Sequence, residues 1–167
     1  GTLDPSPNAN NWYNSPVTIT WNGDDGTGSG VESCDSPTVY SGPDGNLIPI
    51  SGTCIDKSGN IGTGSVNVNY DSTLPSISGA PTTAPNANNW YNSDVQVHFT
   101  CADSTSGPVT SFFDVFVTTE GTAQSASGTC TDLAGNSASL VIPDINLDKT
   151  NPVLTITGNN PESVNQG

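Results

Sequence analysis

Acidic side chains at matching loop positions are the residues of this chain best suited to chemistry. The sequence carries 16 Asp and Glu against two Lys and no Arg, which gives a formal charge of −14. Calcium takes roughly six to eight oxygen ligands from carboxylates, amides and backbone carbonyls, and acidic loops supply such ligands. The pattern allows a calcium site with these candidate ligands: Asp25, Asp56, Asn60, Asp71, Asp103, Asp132, Asn136 and Asp148.

The alternative for the same residues is a structural role in turns. Asp, Asn and Gly dominate turns because their short side chains bond to nearby backbone or tolerate a positive φ. The chain contains no Asp-x-Asp-x-Asp-Gly loop, the arrangement that marks an EF-hand. Both interpretations stay open from the sequence, and no cofactor other than calcium is indicated.

Several other functions are disfavoured by composition. Binding to nucleic acid requires clustered Lys and Arg, so we expect no nucleic-acid partner. Catalysis requires a nucleophile with its base, or paired carboxylates in a pocket, and the only histidine, His98, alternates with apolar residues and should face solvent. Lys57 and Lys149 lie in turn or joint segments, which disfavours an isopeptide bond to Asn. We therefore expect no enzyme.

The chain contains an internal repeat that must position these side chains. Residues 7–15 recur without change at residues 85–93, 78 positions later, and residues 51–60 resemble residues 127–136. Such a period indicates tandem units. We predict a first repeat over residues 1–74, a second over residues 75–151, and a spare strand with linker over residues 152–167.

Within each repeat, apolar and polar residues alternate. Residues 17–21 and 95–99 show this period of two, which is typical of half-buried strands. Turn clusters rich in Gly, Asn and Asp separate such segments, and no window has helical spacing. Short strands of this kind in about 80 residues predict an all-β fold of Greek-key β-sandwiches.

The four cysteines favour disulfides. No Cys-x-x-Cys occurs and positive charge is scarce, so redox or metal-binding thiolates are disfavoured. Four cysteines allow three connectivities, and one bond in each repeat is favoured, which joins Cys34 to Cys54 and Cys101 to Cys130. Disulfides of this kind indicate an extracellular or cell-surface location. No apolar run is long enough to span a membrane.

The ordered motifs resemble a family of bacterial Ig-like repeats from large secreted and surface-anchored proteins. The shared elements are Trp-Tyr-x-Ser, Asp-x-x-Ser-Gly, Gly-Thr-x-x-Asp-x-x-Gly-Asn and Asp-x-Thr-x-Pro. They occupy residues 90–93, 103–107, 128–136 and 148–152, with counterparts at 12–15, 25–30, 52–60 and 71–75. The first repeat departs from the pattern after Asp25, where the Ser-Gly pair stands one residue further on. The resemblance implies two tandem immunoglobulin-like sandwiches that serve extension, adhesion or spacing, often with bound calcium.

The paired aromatics Trp12-Tyr13 and Trp90-Tyr91 have two interpretations. Exposed, they would form a surface on which sugar rings stack, as in a carbohydrate-binding module or adhesin. We favour packing, with one ring of each pair inside its own repeat and the other over the interface to the preceding repeat.

Alignment of the repeats sets Gly1 opposite Gly79. The first repeat is then expected to lack the strand that residues 74–78 give to the second, while residues 152–158 form a spare copy of it. The candidate polymerisation strand consists of Val153, Leu154, Thr155, Ile156 and Thr157. It would either join a second chain by β-strand addition or continue a longer covalent array.

These observations favour a structural subunit or segment of an extracellular fibre or stalk. Its partners would be copies of itself, head to tail, or further repeats of the same chain. The alternatives are an adhesin or carbohydrate-binding module and a spacer in a secreted hydrolase.

Overall fold

The computed structural model describes residues 1–155 and is all-β. Its eleven strands are β1 (Thr2–Asp4), β2 (Val17–Thr20), β3 (Val31–Cys34), β4 (Thr38–Tyr40), β5 (Gly45–Asp56), β6 (Ile61–Tyr70), β7 (Ser76–Pro81), β8 (Val95–Ala102), β9 (Phe112–Val117), β10 (Gly121–Thr131) and β11 (Ser137–Leu147). Across residues 1–155 no helix is long and apolar enough to cross a membrane.

The first repeat has two small antiparallel sheets around one core. The strand orders are β1-β2-β4 and β3-β5-β6. Val17 and Ile19 are fully buried, whereas the alternating Thr18 and Thr20 are only half-buried, as a period of two requires. The buried members of the core are Tyr13, Val17, Ile19, Trp21, Val68 and Tyr70.

The second repeat has its own core between sheets β7-β8-β9 and β10-β11. The buried members are Val95, Val97, Phe99, Val117, Ala126, Ile145 and Leu147. The ring of Phe99 lies so close to the backbone that a Cβ at Gly79 would stand 2.5 Å from it and one at Gly128 would stand 2.8 Å away. Both positions therefore require glycine for close packing.

Two disulfides fasten the repeats in different ways. Cys34 and Cys54 are register partners on neighbouring strands β3 and β5, and they are bonded to each other. Cys101 on β8 is bonded to Cys130 on β10, which links the two sheets of the second repeat. The bonds join the pairs expected from the repeat, and two disulfides suggest an oxidising, extracellular environment.

The paired aromatics are positioned by the last strand of each repeat. Tyr13 forms a parallel bridge with Tyr70 at the end of β6, and Tyr91 forms the same bridge with Leu147 at the end of β11. Trp12 and Tyr13 are buried, with 8% and 4% of their surface exposed. Trp90 and Tyr91 are only half-buried.

The predicted polymerisation strand lies partly within the described residues. Val153 and Leu154 are 87% and 91% exposed, and Thr155 is exposed as well. Residues 153–155 belong to no strand of the structure. Ile156 and Thr157 lie outside the described residues.

Candidate metal centre

Three of the predicted ligands meet where the two repeats join. One carboxylate oxygen each from Asp71, Asp103 and Asp132 can be chosen so that all three lie within 4.8 Å of one another. Asp71 follows β6 of the first repeat, while Asp103 follows β8 and Asp132 follows β10 of the second. We call this group the junction triad. It is assembled only because the end of the first repeat lies against the second.

Asp71 is the residue that the first repeat contributes to the junction triad. Its backbone amide donates to the carbonyl of Tyr13 at 2.9 Å, which extends the aromatic bridge by one residue. Its Oδ1 accepts from the amide of Thr73 at 3.0 Å, and its Oδ2 accepts from the amide of Ser106 at 3.1 Å. The carboxylate therefore bonds to backbone of both repeats.

Asp103 and its Ser-Gly motif form a tight loop that fixes the second carboxylate. Its Oδ1 accepts from the amides of Thr105, Ser106 and Gly107 at 3.0, 2.9 and 3.0 Å. Gly107 has a φ of 83°, in the left-handed region that glycine adopts readily. The motif thus holds one oxygen through three amides, and Oδ2 is the oxygen that remains for a cation.

Asp132 is fixed by the turn that follows it. Its Oδ1 accepts from the amides of Gly135 and Asn136 at 2.7 and 2.8 Å, and Asn136 Nδ2 donates to its Oδ2 at 2.9 Å. The same Nδ2 also donates to the carbonyl of Asp71 at 2.9 Å. Asn136 therefore couples two members of the junction triad, and only its Oδ1 would be free to act as a ligand.

The junction triad concentrates negative charge where water is largely excluded. Asp71 is 0% exposed and Asp132 is 1% exposed, whereas Asp103 is half-buried. Burial raises the pKa of Asp71, and the nearby Asp103 charge raises it further, against the hydrogen bonds from Ser106 and Thr73. The two ion pairs found within residues 1–155 are His98–Asp114 and Lys149–Asp94, neither of which neutralises the triad.

The donor set fits a hard divalent cation. Its oxygen atoms come from three carboxylates, and neither imidazole nor thiolate belongs to the group. Calcium and magnesium prefer such oxygen ligands, and calcium tolerates irregular geometry and ligands supplied by loops. The residues present could therefore hold calcium.

Hydrogen bonds outside the triad also join the two repeats. Asn8 Nδ2 and Asn10 Nδ2 both donate to the carbonyl of Leu133, at 2.9 and 3.0 Å. Both asparagines precede Trp12 in the repeated nonapeptide. Residues 8 and 10 of this element therefore contact the following repeat. The packing of one aromatic ring of each pair over the preceding repeat stays a prediction.

The remaining predicted ligands are not gathered with the junction triad. Asp25, Asp56 and Asn60 line one cavity of about 450 Å³ in the first repeat. Asn60 Nδ2 donates to Asp56 Oδ2 at 2.7 Å, and this bond is the main reason that the pKa of Asp56 is lowered. Asp148 is exposed at the end of β11. A calcium role for these residues stays a prediction.

Comparisons of the chain with protein-family models, curated proteins and solved structures find no match. The chain is an all-β protein with several small antiparallel sheets and two disulfides. The resemblance to bacterial Ig-like repeats stays a prediction from the motifs.

Proposed function

We propose that this chain is a non-enzymatic structural segment of an extracellular fibre or stalk. In this proposal residues 1–74 and 75–151 are two tandem immunoglobulin-like sandwiches. Residues 153–157 then connect the second sandwich to the next unit, which is either a further repeat or a second copy of the chain. The observation that carries the proposal is the junction triad, because its carboxylates come from both repeats, and two of them are fully buried while Asp103 is half-buried.

The arrangement of sheets supports the immunoglobulin-like assignment. Each repeat places two antiparallel sheets on either side of one core, and a disulfide in the second repeat links its sheets. Sheet pairs of this size around a shared core are the general plan of small β-sandwiches. The repeated joint sequences would then connect one sandwich to the next.

Calcium has a mechanical role in this proposal. A cation held by Asp71 from one repeat and by Asp103 and Asp132 from the other can bind only when the repeats keep one mutual orientation. Its charge would also offset the repulsion among three carboxylates. Binding therefore stiffens the joint and stabilises the folded chain.

Thermal unfolding with and without calcium tests this role. We expect calcium to raise the melting temperature relative to excess chelator, and magnesium to do so less because it demands near-ideal octahedral geometry. A melting curve that does not respond to chelator would contradict the calcium part of the proposal.

Electron microscopy of native material tests the fibre or stalk part of the proposal, since a compact particle without filaments or stalks would exclude a fibre.

A carbohydrate-binding surface is the second candidate function, and an exposed aromatic pair favours it. Phe112 and Phe116 on β9 are 60% and 59% exposed, and the ring of His98 lies 5.7 Å from that of Phe112. Asp114 stands between the two phenylalanines and bonds to His98 at 2.6 Å. Aromatic faces beside polar groups are suited to sugar rings, so glycan-array binding that is lost in Phe112→Ala would favour this alternative.

A further inference from the structure

An open groove crosses one end of the first repeat. It has a volume of about 450 Å³ and is lined by Trp21, Gly23, Ile55, Gly62 and Gly64, among others. A Cβ built on Gly64 would meet no atom within 4 Å, so this part of β6 is bare. Among residues 1–155, no strand pairs with residues 21–23. The groove therefore combines apolar surface with an unpaired sheet edge.

The second repeat fills the corresponding place with the beginning of β7. Ile77 pairs with Cys101 and packs against the core of that repeat. Cys101 is the counterpart of Gly23 at the offset of the repeated nonapeptide, so the groove is where the counterpart of Ile77 would lie. The second repeat thus shows which kind of segment the groove accepts: a short strand with an apolar side chain pointing inward.

The chain itself carries such a segment at residues 153–155. Leu154 follows the joint at residues 148–152 as Ile77 follows the joint at residues 71–75. It is 91% exposed, whereas Ile77 is half-buried. Residues 153–155 therefore offer an exposed apolar segment that is not paired with any described strand.

The joint that presents Leu154 is held in the same way as the internal joint. The amide of Thr150 donates to Asp148 Oδ1 at 2.9 Å, as the amide of Thr73 donates to Asp71 Oδ1 at 3.0 Å. The hydroxyl of Thr150 donates to Glu120, and that of Thr73 donates to Asp44, the acidic residue near the start of β5. Both joints leave their repeat with the same local structure.

The receiving loops of the two repeats also match. The amide of Lys57 donates to the carbonyl of Gly30 at 3.0 Å, as that of Leu133 donates to Gly107 at 2.9 Å. In the internal junction the carbonyl of Leu133 receives Asn8 and Asn10. The carbonyl of Lys57 is the corresponding acceptor in the first repeat. The same chain therefore carries a joint after the second repeat that matches the internal joint, and a loop in the first repeat that matches the loop receiving the internal joint.

We propose that the groove of the first repeat binds residues 153–155 of a second copy of this chain, with Leu154 inserted beside Gly64. The contact repeats the internal junction between molecules and rests on the proposed function, for which it names the partner and the binding surface. Asp148 of one copy then approaches Asp25 and Asp56 of the next. Because the contact is heterologous, copies add head to tail.

Single substitutions on the donor segment test the proposal. Sedimentation velocity of the 167-residue chain in about 1 mM calcium, a level at which extracellular modules bind it, should show oligomers that grow with protein concentration. Leu154→Asp should raise the dissociation constant by more than about tenfold, because a carboxylate would be buried without a partner. Val153→Asp is the matched control, since its counterpart Ser76 is exposed, and it should still associate.

Two variants that each carry one altered surface can be mixed, and association of the mixture would show that neither variant is misfolded. Gly64→Glu places a carboxylate in the groove and should abolish association, whereas Asn67→Glu on the opposite face of β6 should not. Gly64→Glu retains its Leu154, and Leu154→Asp retains its groove, so each should be monomeric alone and the mixture should form a one-to-one dimer. A mixture that remains monomeric overturns the proposal, as does equal association of wild type and Leu154→Asp.

Failure of strand exchange between copies can be distinguished from failure of the proposed fibre or stalk function. If the chain stays monomeric while electron microscopy of native material shows filaments, strand exchange between copies is wrong and a covalent array remains. A segment that precedes Gly1 in a longer chain would then fill the groove. If neither association nor filaments are observed, both proposals fail.

Discussion

At the scale of single residues, Asp71 links the first repeat to the second. Its carboxylate accepts amides from Thr73 in its own joint and from Ser106 across the junction, and it is fully buried. Removal of its charge should remove one of the three anionic ligands without removing a large side chain.

We therefore expect Asp71→Asn to lose most of its response to calcium. A ligand present at about 100 times its dissociation constant stabilises a fold by about 2.7 kcal/mol, and this increment should fall close to zero in the variant. Chemical unfolding with calcium and with chelator measures it. Asp148→Asn, at the exposed counterpart position, is the control and should keep the full increment in dilute monomer. Equal losses in both variants would contradict the junction triad as the site.

The pH dependence of calcium stabilisation follows from the raised pKa of Asp71. A carboxyl whose pKa is higher in the folded state contributes stability that is present below its unfolded pKa and lost as pH rises through its folded pKa. Calcium requires the charged form and reverses this loss. The stability difference between calcium and chelator should therefore grow as pH rises from about 4 to 7.

Unfolding by urea at several pH values, with calcium and with chelator, measures this growth. The Asp71→Asn variant should show a flatter profile. A calcium increment that is constant across this range in wild type would show that Asp71 does not titrate in the site.

The sequence indicated which residues have side chains that can bind a cation. It did not indicate which of these side chains lie close together in the folded chain. The repeat pointed to eight Asp and Asn residues, and the structure brings four of them together: the three carboxylates of the junction triad and Asn136, which bonds to two of these residues. The selection depends on contacts between the repeats, such as Asn8 with Leu133, which are 125 positions apart. Alternation and motif spacing describe each repeat alone and therefore do not contain this information. Ser106, whose amide bonds Asp71, was visible only as part of a Ser-Gly motif.

At the scale of strands, glycines decide how closely the sheets approach the large aromatic core residues. Gly128 on β10 lies over Phe99, and a Cβ there would stand 2.8 Å from Phe99 and 2.9 Å from Phe113. Gly64 on β6 lies over open space instead. The two positions therefore form a natural pair for substitution.

We expect Gly128→Ala to destabilise the second repeat by about 1–3 kcal/mol, because the added methyl overpacks a closely packed ring. Gly64→Ala should change stability by less than about 0.5 kcal/mol, because its methyl meets nothing. Urea unfolding of both variants compares them directly. Similar losses at both positions would contradict overpacking against Phe99 as the cause.

Strand positions were easier to predict than strand partners. The alternating segments at residues 17–21 and 95–99 became β2 and β8 with the expected faces inward. The short strands β3 and β4 lie in a polar segment whose alternation is weak, and their partners lie in different sheets. Those pairings are determined by packing of the whole core, so the local sequence pattern could not predict them.

At the scale of the whole molecule, the joint determines how the two repeats move relative to each other. Calcium bound by residues from both repeats should narrow the range of their orientations. Small-angle scattering of the intact chain should therefore show a narrower distribution of dimensions with calcium than with chelator. Asp71→Asn should show the broad distribution in both conditions. A wild-type distribution that calcium leaves unchanged would mean that direct contacts such as those of Leu133 hold the joint without a cation.

The two disulfides have a consequence for a chain that is pulled from its ends. Cys34–Cys54 closes a segment with a separation of 20 residues and Cys101–Cys130 one of 29 residues. At roughly 3.4 Å per extended residue, the bonds withhold roughly 70 and 100 Å of length under tension. When force unfolds the sheets of a repeat, the residues enclosed by its disulfide still cannot extend. Under load, these bonds limit how far a damaged unit can lengthen before its neighbours bear the force.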